Sequence, residues 1–200
     1  MKKIFFAFMT ALELILNGIV YSDSVTEDLS DNLLRLHIIA NSDSEYDQNI
    51  KLMVRDRIIN NIREKSFADK FDVVNNIEET KEDICGYMKK INAGYDCNIY
   101  CVTDEFPTKS YNNISMPAGR YECIKVVLGE GMGQNWWCVA YPPLCFTEEV
   151  CGSMSQKGRE ALKHNLDDEA FQIIDNEKNE YKIKFFAVET INKLVSKISK

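Results

Sequence analysis

The stretch from Leu34 to Arg57, LRLHIIANSDSEYDQNIKLMVRDR, constrains the fold more than any other part of the chain. An apolar strand, Leu34 to Ala40, stops at the polar turn Asn41-Ser42-Asp43 and passes at once into a helix. Ser44 is placed to cap that helix, and Asp47, three residues on, completes a capping-box pattern. Two acids and an Asn thus gather where free backbone N–H groups and the positive helix end lie. Ile50, Val54 and Ile58 recur every four residues, with Met53 and Ile62 beside them, so the helix presents an apolar stripe to a core. Lys51, Arg55 and Asp56 fall mostly to the other side and read as a solvated face. His37 lies in the strand just before the turn.

The flanking segments differ in kind. Residues 1–22 read as an export signal or retained membrane anchor, with Lys2 and Lys3 before an apolar centre from Ile4 to Leu16. Glu13 sits awkwardly within it, since an acid at the bilayer centre costs on the order of 3 kcal/mol. Residues 23–32 are polar and acidic and read as a linker. From 33 to 200 the chain reads as one domain, in keeping with a total of 200 residues. A formal charge of −7 without a clustered basic face excludes nucleic acid as a partner.

Beyond the first helix, Asp69 to Ile91 carries a second helical stripe that weakens at Thr80-Lys81, and Asn92-Ala93-Gly94 ends it. The period then changes. Cys97, Ile99 and Cys101 alternate with Asn98, Tyr100 and Val102 as in a strand. Asp104 to Met116 reads as a long polar loop, and a further strand resumes at Gly119. The run Gly129-Glu130-Gly131-Met132-Gly133 is followed by another strand, not by the helix that a phosphate cradle needs, so it reads as a hairpin turn. Trp136 and Trp137 are neighbours in the returning strand and face opposite sides of the sheet. Helices return from about 156 to 200, with a Lys-rich end at Lys193, Lys197 and Lys200. The expected architecture is α+β: a mostly antiparallel sheet of about four strands covered by helices, in the order β-α-α-β-β-β-α.

Catalytic chemistry has little to work with. The two histidines, His37 and His164, stand in no GxSxG or HExxH pattern. His37, Asp43 and Asp47 allow a metal site only if the strand and turn converge, which the spacing does not establish. The seven cysteines contain no CxxC pair. Cys138 and Cys145 are candidates for a disulfide across the Pro142-Pro143 turn, with two buried thiols as the alternative. No cofactor is called for.

Two strings go further. RLHIIANSDSEYDQNIKLMVRD, Arg35 to Asp56, and GEGMGQNWWCVAYPPLCF, Gly129 to Phe146, resemble the signature segments of the stage II sporulation protein R family, and MPAGRYECIKVVLGEG between them resembles it too. The resemblance implies a signalling protein without catalytic activity of its own. Such a protein is secreted from the forespore into the space between the two membranes and activates a membrane-embedded aspartic protease of the mother cell. The protease then processes pro-sigma-E. Membrane contact would be confined to the N-terminal segment. The expected partner-binding residues are His37, Asn41, Asp43, Asp47, Asn135, Trp136 and Trp137. A different class, an exported hydrolase or metal-dependent enzyme of the spore envelope using His37 with nearby acids, is the alternative.

Overall fold

A strand buried on both faces has to sit inside a sheet, and the apolar run at 34–39 does so. The computed structural model describes residues 25–111, 114–144 and 156–175, with the isolated positions 9, 13 and 190. Helix α1 occupies 25–32. Strand β1 (Leu34–Ile39) leads into α2 (Glu45–Lys65), α3 (Lys70–Asn75) and α4 (Ile77–Lys90). Strands β2 (Cys97–Phe106), β3 (Lys109–Tyr111), β4 (Ile114–Met116), β5 (Gly119–Leu128) and β6 (Asn135–Tyr141) follow, then α5 (Gln156–Asn165) and α6 (Asp168–Ile174). The fold is α+β.

The main sheet has four strands in the order β2-β5-β1-β6, and a separate ribbon pairs β3 with β4. β2 pairs antiparallel with β5, and β1 antiparallel with β6, but β1 runs parallel to β5. The sheet is therefore mixed. This arrangement also corrects the hairpin reading of the glycine run. β1 inserts between β5 and β6, so residues 129–134 cross two strand spacings, about 9.6 Å, and pass over the end of β1. Local sequence shows two strands and a turn; the insertion of a strand from ninety residues earlier is a non-local event.

Helices cover both faces of the sheet. On one side Leu36 and Ile38 of β1 meet Ile50, Val54 and Ile58 of α2, Ile84 and Met88 of α4, and Ile124 and Val126 of β5. On the other, Tyr121, Cys123 and Val139 meet Leu29 of α1, Leu162 of α5 and Phe171 and Ile174 of α6. The tryptophan alternation holds: Trp136 packs on the first core and Trp137 on the second. Each fully buried aliphatic side chain contributes about 1.5–3 kcal/mol, so the two cores are both substantial.

Three further expectations change. Residues 25–32, read as a linker, are helical, and Val25 and Leu29 are buried with Leu33 in the second core. Their four-residue spacing is a helical stripe too short to stand out among the acids around it. The polar loop from 104 to 116 contains the end of β2 and the β3–β4 ribbon, with Ile114 and Met116 buried. The second helix breaks at Asn76 and not at Thr80, which is buried. Asn76 turns its own N–H and its side-chain amide back onto the Asp72 carbonyl. The C-terminal helix expected over 180–199 lies outside the described residues except for Thr190, as does most of the 1–22 prefix. Among the described residues no helix is long and apolar enough to cross a membrane.

Replacing Leu29 with Ala tests the new status of α1. The expected loss is about 2–5 kcal/mol, read from urea denaturation, whereas a linker position would tolerate the change.

Candidate functional site

The turn that follows β1 is shaped by one carboxylate. Ser44 caps α2 as expected, its Oγ accepting from the Asp47 N–H at 3.2 Å. The return half of the capping box is absent: the Ser44 N–H donates to Ser42 Oγ at 3.2 Å, which frees Asp47 for other partners. Its Oδ2 accepts from Asn41 Nδ2 at 2.9 Å and from Ser42 Oγ at 2.5 Å, and its Oδ1 accepts from the Tyr95 hydroxyl at 2.7 Å. Asp47 is buried. The Ser42 hydroxyl, with the Asn41 amide and Tyr95 behind it, outweighs the effect of burial and holds the carboxyl below its ordinary 3.8. Burial and the same bond raise the Tyr95 phenol.

The glycine loop closes over this turn. Asn41 Oδ1 accepts from the Glu130 N–H at 2.9 Å, Asn41 O accepts from the Met132 N–H at 3.1 Å, and Ala40 O accepts from the Gly133 N–H at 2.9 Å. The Ala40 N–H donates to Gln134 O at 3.4 Å. Glycine is required by this proximity. A Cβ at Gly133 would overlap the Ser42 carbonyl, and Gly129, at φ +53°, has Asn41 Oδ1 where a side chain would go. From below, α2 supports both pieces: Gln48 Nε2 donates to Ser42 O at 2.8 Å, and Lys51 Nζ to Gln134 O at 3.1 Å. Lys51 is therefore buried, its ammonium pKa lowered by desolvation. Arg55 is buried as well, 4.5 Å from the Trp136 ring centroid. The solvated-face reading of these two residues is corrected: the charged side of α2 packs beneath β6 and its loop.

His37 belongs to the opposite face of the sheet. Its Nδ1 is 2.9 Å from Asp104 Oδ2 and its Nε2 is 2.7 Å from Asn135 Oδ1, while the ring stacks on Trp137 at 5.5 Å. Lys125 Nζ joins Asp104 Oδ2 at 2.8 Å. Burial pushes the Asp104 carboxyl up, but the bonds from Lys125 and His37 override it and leave it below the usual carboxylate range. His37, Asp43 and Asp47 thus do not converge: the imidazole meets Asp104, Asp47 is engaged by the turn, and Asp43 is exposed. Among the described residues no group of three His, Cys, Asp or Glu side chains is placed to hold a metal ion.

Of the seven positions singled out, Asn41 and Asp47 form the interlock, and His37 and Trp137 anchor Asn135 and the second core. Trp136 is half-buried over Arg55, while Asp43 and Asn135 are exposed. Gln48, Lys51, Tyr95, Asp104 and Lys125 were not foreseen. Gln48, Lys51 and Lys125 lie within the strings that resemble the family, whereas Tyr95 and Asp104 lie outside them and carry no local signal. Cys138 is disulfide-bonded; Cys145, suggested as its partner, lies outside the described residues.

Fold and site together define a mixed-sheet α+β protein in which two segments ninety residues apart are fastened into one exposed face. The profile of the family described as Stage II sporulation protein R matches residues 30–151, which takes in both segments. The chain belongs to that family. A relative named Stage II sporulation protein R, from Bacillus subtilis (strain 168), is 36% identical over 192 residues, covering 84% of this chain and 84% of its own length. No solved structure matches.

Because Asp47 titrates below 3.8 in the folded state, its contribution is complete above that value and is lost as pH falls through the lower, folded-state pKa. Asp47→Asn is expected to cost about 1–3 kcal/mol at pH 7 and to flatten the loss of stability below pH 3.8, as measured by denaturation across pH.

Proposed function

We propose that this chain is an exported sporulation signal that activates a membrane-embedded aspartic protease of the mother cell, leading to processing of pro-sigma-E. It is made in the forespore and delivered to the space between the two membranes by the 1–22 segment, as a cleaved signal or a retained anchor. Family membership and the signal-like prefix support this reading. So does the nature of the best-defined surface, which is built for presentation.

The observation that carries the proposal is the exposed rim of the interlock. Met132, 81% exposed, projects from a loop whose backbone is bonded to Ala40 and Asn41 just beyond β1, and Tyr46, 54% exposed, stands on the first turn of α2. Asp43, Glu45 and Glu130, near these two residues in sequence, are exposed as well. Because the backbone beneath these exposed side chains is already fastened, covering them adds no cost of ordering the loop, which is the economy of a pre-organised binding surface. An acidic rim selects a partner with basic complement. The two tryptophans serve inside this surface, holding β6 and the loop in place.

Activation follows from differential binding. A ligand that prefers the active state of the protease raises the population of that state. Taking a 1:99 equilibrium to 99:1 requires a preference of about 10⁴-fold, or about 5.5 kcal/mol, within the reach of a few well-packed anchors. In this scheme the chemistry belongs to the protease. The engagement of both His37 ring nitrogens supports a positioning role for that residue.

Met132→Ala and Asp43→Ala alter exposed side chains and leave the interlock intact. Each is expected to keep full folded level and export, to weaken binding to the extracytoplasmic part of the protease by about 10-fold or more, and to lower pro-sigma-E processing in step. Two folded, exported and fully active variants would remove this face from the account. Failure of the unaltered protein to bind the protease would remove the partner.

A further inference from the structure

Among the described residues, Cys85, Cys97, Cys101 and Cys123 are free thiols. Cys101 and Cys123 lie against different cores on opposite faces of the sheet, so they do not meet. Cys85 of α4 and Cys97 at the start of β2 do meet, with their sulfurs 3.7 Å apart. They line a cleft of about 370 Å³ between the end of α4 and β2, whose floor runs through Ala93, Gly94 and Tyr95. Cys85 is half-buried and Cys97 buried. Cys138 is already disulfide-bonded, and disulfides persist where thiol oxidation is permitted.

We propose that Cys85 and Cys97 are a redox pair that closes to a disulfide when a small disulfide oxidant enters this cleft. The Cys85 thiolate attacks one sulfur of the oxidant, the oxidant's S–S bond breaks, and one oxidant thiolate leaves. Cys97 then gives up its proton and attacks the Cys85 sulfur of the mixed disulfide, expelling the second oxidant thiolate. Two thiols become one disulfide, and two electrons and two protons pass to the oxidant, which departs as two thiols. The order of attack follows from burial: desolvation, reinforced by the contact with Cys85, pushes the Cys97 thiol up to about 12, leaving the more accessible Cys85 as the nucleophile.

The bond would close a short loop on the underside of the candidate site. Within that loop Tyr95 donates to Asp47 and Asp96 O accepts the Gly129 N–H at 2.9 Å. The pair therefore sets how firmly the segment beneath the turn and the glycine loop is held, and this role is independent of which partner the face meets.

The test is thiol mapping of the full-length chain in mild detergent with oxidised glutathione as the probe, alkylating free thiols and identifying linked peptides by mass spectrometry. A Cys85–Cys97 linked peptide is expected, with Tm raised by about 5–10 °C over the form in which that pair is reduced. Cys97→Ser is expected to trap glutathione on Cys85, because the resolving thiol is gone. Both cysteines remaining alkylatable in the unaltered protein, or a glutathione adduct on Cys85 that persists with Cys97 present, would overturn the proposal.

Discussion

The Asp47 carboxylate organises the turn after β1 and the glycine loop that closes over it. It lies in the first turn of α2, yet its oxygens are used by Asn41 and Ser42 from the turn and by Tyr95 from beyond α4. Without that buried acceptor, the Asn41 amide and the Ser42 and Tyr95 hydroxyls would each lose a partner, and the turn would lose its reason to keep one shape. Because Asn41 is held, its own carbonyl and side-chain oxygen are available in fixed positions to the Met132 and Glu130 N–H groups. A local charge thus orders a loop that is remote in sequence.

The mixed sheet makes this arrangement possible. Placing β1 between β5 and β6 brings the end of β1 directly under the connection between its two neighbours. Had β5 and β6 formed a hairpin, the glycine loop would have had no turn to close over. Burial of the sheet on both faces then fixes β1 against movement, with α2 and α4 on one side and α1, α5 and α6 on the other. The exposed residues of the turn and loop consequently stand on a rigid base, the property on which the proposed binding role depends.

Much of this was legible where it depended on near neighbours. The capped strand-to-helix junction, the opposite faces of Trp136 and Trp137 and the α+β class follow from periodicity, capping and alternation. What depended on distant contacts was not. The parallel β1–β5 pair, Tyr95 and Asp104 as partners of Asp47 and His37, and the burial of Lys51 and Arg55 all arise when segments far apart in sequence meet. Charged side chains on an amphipathic helix normally face water, and these two depart from that pattern because a carbonyl and an indole ring are brought onto them. Helix α1 escaped notice for a different reason: Val25 and Leu29 give two turns of stripe, too little signal among acids.

The turn and the glycine loop form one unit with β1. Amide hydrogen exchange of the free protein tests it most directly, because the Met132 and Gly133 N–H groups are bonded to Asn41 and Ala40. These two amides are expected to be protected to nearly the same degree as those of β1, despite their position in an exposed connection. Exchange of Met132 and Gly133 at unprotected rates while β1 stays protected would contradict it.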